Sequence, residues 1–262
     1  MFCFRITFNK GQLILCWLCL LCLTISLNCS KKQLVISSDS PEQQFNTALD
    51  FLLAKKYNKA IPILQNIIFN YPGTSYAADA QFYLADAYFQ KKDYYSAIPE
   101  FEFFINSFSG SQYQEDAIYK LALCYYHIAP AVIRDQNYLV KALETLDDLQ
   151  ERFPETKYQS AVAELRQKIY DRWAEKSFRI GELYYKGEEY NAARVYFDYV
   201  QSEFPNSKWS ALSKFYLGQI YERTDSIAQA IAIYQELLSD TTDIPMQKMV
   251  AQRLARLEKK NR

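Results

Sequence analysis

The sequence predicts an all-α protein: a solenoid of five helical hairpins in which one long helix links hairpins 3 and 4. The first observation behind this prediction is a small residue that is followed three positions later by a large aromatic one. It recurs in the first helix of each hairpin, at Ala48, Ala85, Ala122, Gly181 and Gly218. The spacings are 37, 37, 59 and 37 residues, a regularity that chance rarely produces.

A second set of small residues runs parallel to the first and marks the second helix of each hairpin. These residues are Ala60, Ala97, Ala142, Ala193 and Ala230, and each is followed four positions later by Leu64, Phe101, Leu146, Phe197 or Tyr234. Small residues let two helices approach, and the large residue one turn later fills the gap between them. This pattern resembles the tetratricopeptide repeat, lengthened from its usual period, and implies a right-handed superhelical solenoid.

The third observation is a recurring turn after each of the first four second helices. The turns are Tyr71-Pro72-Gly73-Thr74, Phe108-Ser109-Gly110-Ser111, Phe153-Pro154-Glu155-Thr156 and Phe204-Pro205-Asn206-Ser207. Proline cannot continue a helix, and the Ser or Thr can cap the next one. A Gln three positions after the hydroxyl predicts capping boxes at Ser40 with Gln43, Ser111 with Gln114 and Thr156 with Gln159.

Two places depart from the repeat period. Residues 128–137 lengthen the loop inside hairpin 3, and residues 158–185 contain no proline and keep a helical apolar spacing. The latter predicts one helix of about 40 Å. We therefore expect repeats 1–3 at 41–157, the long helix with repeats 4–5 at 158–242, and a C-terminal helix or tail at 243–262.

The N-terminus has the layout of a lipoprotein signal peptide, predicted at residues 1–28. Arg5 and Lys10 precede an apolar run of about 15 residues, which is shorter than the roughly 20 residues needed to span a bilayer. Cys29 follows that run, as in the bacterial lipobox, although Asn28 stands where Gly or Ala is usual. We expect Cys29 to be acylated (palmitate) and residues 29–40 to form the tether; a plain signal peptide and an uncleaved anchor are the alternatives.

The composition argues against several classes of function. Thirty basic and thirty acidic residues cancel, which disfavours a nucleic-acid binder. The only histidine, His127, has no nucleophile motif beside it, and no glycine remains for a phosphate-binding loop. Cys124 fits a buried thiol in a helix. We expect no catalysis, cofactor, metal or small-molecule substrate.

The chain resembles the BamD family of outer-membrane assembly lipoproteins, which combine a lipobox, five such repeats and a long helix after the third. The segments that carry the resemblance are 71–80, Asp93-Tyr94 with Ala97-Ile98, Asp116-Ala117-Ile118-Tyr119, and Tyr190-Asn191-Ala192-Ala193-Arg194. The resemblance implies a lipid-anchored, periplasm-facing protein of the outer membrane. Its C-terminal repeats would bind a BamA-type barrel protein, and its N-terminal repeats would receive unfolded barrel substrates.

Two other interpretations of the repeats compete with this one. A different periplasmic repeat lipoprotein could coordinate other envelope or peptidoglycan machinery while sharing only the fold. An enzyme with an appended repeat array would need a spare domain of about 100 residues, which the repeats do not leave.

The candidate site is the groove that first helices line in tetratricopeptide repeats. An aromatic residue stands three positions before each small one, and further rings follow in the same register. The predicted contact residues are Phe45, Phe82, Phe89, Tyr119, Tyr126, Phe178, Tyr185 and Phe215. Such rings could hold an extended, aromatic-ending peptide; the alternative is that they pack between adjacent first helices.

Overall fold

The computed structural model describes residues 40–131, 136–240 and 243–260. The predicted signal peptide, Cys29 and the tether up to residue 39 lie outside these ranges. The described residues form eleven α-helices and contain no β-strand. None of these eleven helices combines the length and the apolar composition that crossing a bilayer requires.

The helices pair into five consecutive hairpins, which confirms the predicted all-α solenoid. They are α1 (Pro41–Leu53), α2 (Tyr57–Asn70), α3 (Ser75–Gln90), α4 (Tyr94–Ser107), α5 (Gln114–Ile128), α6 (Asn137–Arg152), α7 (Gln159–Lys186), α8 (Tyr190–Glu203), α9 (Lys208–Arg223), α10 (Ile227–Asp240) and α11 (Ile244–Lys260). The hairpins are α1/α2, α3/α4, α5/α6, α7/α8 and α9/α10. Helix α11 packs on α10 after the last hairpin.

The small residues of both sets are buried, as expected for positions where paired helices pack together. Their large partners Leu64, Phe101, Leu146, Phe197 and Tyr234 are all 0% exposed. A Cβ atom on Gly181 would lie 2.8 Å from Cε1 of Phe197, and one on Gly218 would lie 2.3 Å from Cε1 of Tyr234. The ring therefore occupies the volume that a side chain at the glycine would need.

The long helix α7 is one continuous element of 28 residues, about 42 Å at the usual rise. Val162, Leu165 and Ile169 pack into the core of hairpins 2 and 3. Ala174 and Phe178 belong to a second core, which hairpin 4 shares with α9. The hydrophobic core thus changes between Ile169 and Ala174, although the helix does not break.

The capping boxes predicted for Ser111 and Thr156 are wrong. Helix α5 begins at Gln114 itself, and Ser111 Oγ accepts from the Tyr113 N–H at 3.3 Å. The Gln114 side chain instead donates to the Phe108 carbonyl at 2.8 Å, so it closes the preceding helix rather than the following one. Thr156 likewise accepts from the Tyr158 N–H at 3.3 Å, one residue before α7 begins.

Four of the hairpin turns place a non-glycine residue in the left-handed region. These residues are Lys55 (φ 55°), Lys92 (φ 61°), Glu188 (φ 62°) and Asp225 (φ 57°). Each lies seven positions after the small residue of its hairpin. Glycine adopts this conformation without the steric cost that a Cβ atom adds.

Candidate functional site

The predicted contact residues lie on the first helices α1, α3, α5, α7 and α9, and we call the surface that they follow the first-helix face. Phe45, Phe82, Phe178 and Phe215 are only 7%, 4%, 3% and 6% exposed. Phe82 stacks on Tyr113 with ring centroids 4.4 Å apart. In this conformation these four rings pack between helices and offer little surface to a ligand.

The other four predicted residues, Phe89, Tyr119, Tyr126 and Tyr185, are half-buried. Tyr119 stacks on Tyr158, with ring centroids 4.3 Å apart. The Arg172 guanidinium lies 5.5 Å from the centre of the Tyr126 ring. These four rings keep part of their surface open, and they are the members of the predicted set that a partner can reach.

His127 extends the aromatic surface on α5. Its ring stacks on Tyr94, with centroids 4.6 Å apart, and meets Tyr126 edge-on at 5.6 Å. Partial burial lowers the pKa of His127, and the positive charges of Lys92 and Lys168 lower it further. The imidazole is therefore neutral at pH 7 and acts as one more ring of the surface.

Arg172 of α7 holds the end of α5 and the start of the following loop. Its guanidinium donates to the carbonyl oxygens of Tyr126 at 3.4 Å and Ala129 at 3.2 Å, and to that of Pro130. The long helix thus positions the N-terminal part of the first-helix face through backbone contacts.

In the C-terminal hairpins, hydrogen bonds link polar residues on α7 and α9. Tyr185 Oη donates to Gln219 Oε1 at 3.1 Å and accepts from Arg223 Nε at 3.2 Å. Glu182 accepts from the Tyr216 hydroxyl at 3.2 Å and pairs with Lys186 at 3.1 Å. These contacts fix the orientation of the Tyr185 ring, so the surface is organised before any partner binds.

Helix α11 lies in the stretch that we expected to form a C-terminal helix or tail, and it completes this part of the face through contacts that the sequence did not predict. The Glu222 carboxylate accepts from Tyr234 Oη at 2.6 Å and pairs with Arg253 at 2.9 Å and Arg256 at 2.8 Å. Burial raises the pKa of Glu222, but the hydrogen bonds and charges of these three partners outweigh it and leave the pKa lowered. Glu222 is therefore ionised at neutral pH.

A sequence signal for α11 does exist. Met246, Val250 and Leu257 recur at helical spacing and are buried against α10. That spacing favours a packed helix over a tail, but it does not predict the partners of its arginines.

The first-helix face assembles rings, hydroxyls and paired charges, which can hold a polypeptide by stacking, apolar contact and hydrogen bonds. Within 40–131, 136–240 and 243–260, no three His, Cys, Asp or Glu residues are grouped so that they could hold a metal ion. Burial raises the pKa of the Cys124 thiol to about 12, so at neutral pH this sulfur stays protonated and unreactive.

A family model described as YfiO, an outer membrane lipoprotein, matches residues 37–256. The chain belongs to the YfiO outer membrane lipoprotein family. The match spans all five hairpins and most of α11, and it confirms the resemblance to BamD-like proteins. Membership of the YfiO family makes the chain an envelope lipoprotein, and its repeat fold is of the kind that serves protein–protein contacts.

Several solved tetratricopeptide-repeat structures are similar to this YfiO-family chain at low identity. TTC0263 from Thermus thermophilus is 14% identical, with 82% of this chain and 100% of that chain covered and a TM-score of 0.37. A repeat protein from Parabacteroides merdae is 13% identical, with 83% and 86% covered and a TM-score of 0.38. The P58(IPK) repeat domain is 14% identical, with 85% and 66% covered and a TM-score of 0.42. No curated protein matches the sequence.

Proposed function

We propose that this YfiO-family protein is a non-catalytic scaffold of the machinery that assembles β-barrel proteins in the outer membrane. Cys29 carries the lipid anchor, and the repeats face the periplasm. The observation that carries the proposal is the family match across all five hairpins. The C-terminal hairpins bind a BamA-type barrel protein, and the N-terminal hairpins receive unfolded barrel substrates.

The accessible rings of the N-terminal hairpins support the proposed role in substrate binding. Phe89, Tyr119 and Tyr126 are half-buried and His127 is exposed, and all four rings already contact neighbouring rings. An extended chain with aromatic residues at its end can add to such an array without ordering flexible side chains first. Phe82 belongs to the core cluster against which Phe89, Tyr119 and Tyr126 pack.

An exposed apolar patch on hairpin 4 supports the proposed docking of the barrel protein. Leu183 on α7 is 70% exposed, and Val195 and Tyr199 on α8 are 65% and 48% exposed. Tyr184 and Tyr196 stack between the two helices, with ring centroids 5.6 Å apart. Several exposed apolar side chains on two paired helices favour a protein-interaction site.

Affinity capture after mild detergent extraction tests the proposal. We expect a BamA-type barrel protein to co-purify with the wild-type chain and to be lost when Leu183→Asp and Val195→Asp are combined. Phe69→Asp is the matched control, because Phe69 is 84% exposed on α2 and lies outside the patch. Absence of the barrel protein under conditions that preserve other membrane complexes would refute the scaffold.

The anchor is tested separately by metabolic labelling with a fatty acid. The wild-type protein should incorporate label, and the Cys29→Ala variant should not. Equal labelling of both proteins would remove Cys29 as the acylated residue without bearing on the barrel partner.

A further inference from the structure

The turns of the first two hairpins bring together five lysines. They are Lys55, Lys56, Lys59, Lys91 and Lys92, and all are exposed. Four of them, together with Tyr57 and Asn58, line one surface depression of about 300 Å³. Across the described ranges, none of these five lysines takes part in an ion pair. We call these five residues the lysine edge.

The positive charge is local to these two hairpins. Lys55 and Lys92 occupy the left-handed turn position that Glu188 and Asp225 occupy in hairpins 4 and 5. The whole chain is neutral, so the lysine edge is not part of a general basic excess. Two acidic residues are near in sequence. Asp93 accepts hydrogen bonds from the Ser96 N–H at 3.3 Å and from the Ser96 hydroxyl at 2.9 Å, and Asp50 is exposed. Five lysines outnumber these two carboxylates, so the lysine edge is net positive.

Exposed apolar side chains stand beside the lysines. Leu53 is 82% exposed at the end of α1, and Tyr95 is 67% exposed at the start of α4. Lysines next to exposed Leu and Tyr make up a surface suited to an anionic bilayer. The ammonium groups meet lipid phosphates, and the apolar groups enter the headgroup region.

This step rests on the proposed acylation of Cys29. The chain between Cys29 and α1 is long enough for the lysine edge to meet the bilayer that holds the anchor. Eleven residues, 30–40, separate Cys29 from the start of α1, and they can extend at most about 40 Å. Helix α1 has 13 residues and is about 20 Å long. A chain anchored at Cys29 can therefore bring the far end of α1, where the lysines stand, to the same bilayer.

We propose that the lysine edge docks on the anionic phospholipid surface of the membrane to which the protein is tethered. Docking turns the α1/α2 and α3/α4 turns toward the bilayer. It also fixes how the first-helix face is presented to substrates that approach along the membrane.

Vesicle co-sedimentation tests this with the unlipidated chain from Ser30 to Arg262, which contains every helix that the structure describes. The chain should bind phosphatidylcholine vesicles only when they contain phosphatidylglycerol, and high salt should release it. The combined variant Lys55→Gln, Lys56→Gln, Lys59→Gln should bind on the order of 100-fold more weakly, since each lysine near an anionic surface contributes about fivefold. Leu53→Ser with Tyr95→Ser should also weaken binding.

The matched control removes the same charge elsewhere, through Lys208→Gln, Lys248→Gln and Lys259→Gln, which are exposed lysines outside the lysine edge, and should change binding by less than about twofold. Circular dichroism confirms that both triple variants fold. No binding to anionic vesicles, equal binding to neutral vesicles, or equal losses in the two triple variants would overturn the proposal. The proposal would also be overturned if the Lys55, Lys56 and Lys59 variant still bound vesicles but no longer captured an acidic protein. Because the chain in this assay carries no lipid, failed labelling of Cys29 or failed capture of a barrel protein leaves its outcome unchanged.

Discussion

The packing of α9 against α10 in hairpin 5 depends on the absence of a Cβ atom at Gly218. A Cβ atom there would lie 2.3 Å from Cε1 and 2.6 Å from Cζ of Tyr234. The Tyr234 ring is 0% exposed, and its hydroxyl is held by Glu222, so the ring cannot move aside without losing that bond. The close approach of α9 and α10 therefore depends on glycine at this position.

We expect Gly218→Ala to lower the free energy of unfolding by about 1–3 kcal/mol, the usual cost of overpacking. The result is diagnostic because alanine favours a helix over glycine by about 1 kcal/mol and would otherwise stabilise α9. Urea unfolding followed by circular dichroism measures the difference. Gly110→Ala is the control, since a Cβ there meets nothing within 4 Å; equal effects of the two changes would contradict the packing argument.

Glu222 holds two arginines of α11 against hairpin 5, and the stability that this contact adds should depend on pH. Its pKa is lowered in the folded protein from the ordinary 4.5. The stability that its contacts provide is therefore fully present above pH 4.5 and is lost as the pH falls through the folded value. We expect Glu222→Gln to cost about 1–3 kcal/mol at pH 7.

The pH series for Glu222 compares urea unfolding of wild type and variant at neutral pH and at acidic pH. The difference in the free energy of unfolding should shrink once the wild-type carboxylate is protonated. Glu236→Gln serves as the control, because Glu236 is 58% exposed and pairs with Lys214 at the surface. A difference that stays constant across the series would show that Glu222 acts through its shape and not its charge.

Among the elements, the hairpin turns carry strain that glycine would relieve. Glu188 has φ 62°, a left-handed conformation that costs an ordinary residue roughly 1 kcal/mol. We expect Glu188→Gly to raise the free energy of unfolding by about 0.5–1 kcal/mol. Differential scanning calorimetry gives the shift in melting temperature. Glu189→Gly, at the neighbouring position with φ −80°, should instead destabilise, and stabilisation by both would argue against a conformational cause.

On the scale of the whole molecule, α7 is one helix shared by two cores. Ile169 is buried in the core of hairpins 2 and 3, which we call the N-terminal core. Ala174 is buried in the core that hairpin 4 shares with α9, which we call the C-terminal core. Hairpins in a solenoid are stabilised mainly by their neighbours, so damage to one core need not spread across this boundary.

We expect Leu146→Ala to cost about 2–5 kcal/mol, because Leu146 is fully buried in the N-terminal core. Hydrogen exchange read by mass spectrometry should show faster exchange in α5, α6 and the first half of α7. Exchange in α8 to α10 should stay as in the wild type. Uniform acceleration throughout the chain would mean that the two cores unfold as one unit.

The sequence alone was enough to predict the five hairpins, the long helix and the residue pairs at each close approach. Those features rest on contacts inside one helix or between two helices joined by a short turn. The residues that make such contacts recur at regular spacings in the sequence. Ala48 with Leu64 and Gly218 with Tyr234 are small and large residues in fixed register. The resemblance to the family rested on particular segments such as 71–80 and 190–194, and the family match over residues 37–256 confirmed it.

Only the tertiary structure decided which of the predicted rings are open to a partner and which polar groups hold the surface together. Arg172 reaches carbonyls more than 40 residues earlier in the chain, and Arg253 meets Glu222 across 31 residues. Gln114, expected to cap its own helix, closes the preceding one. Such pairs have no fixed spacing in the sequence, because they depend on how one hairpin packs against the next. That arrangement results from all the contacts between the hairpins and not from a local pattern.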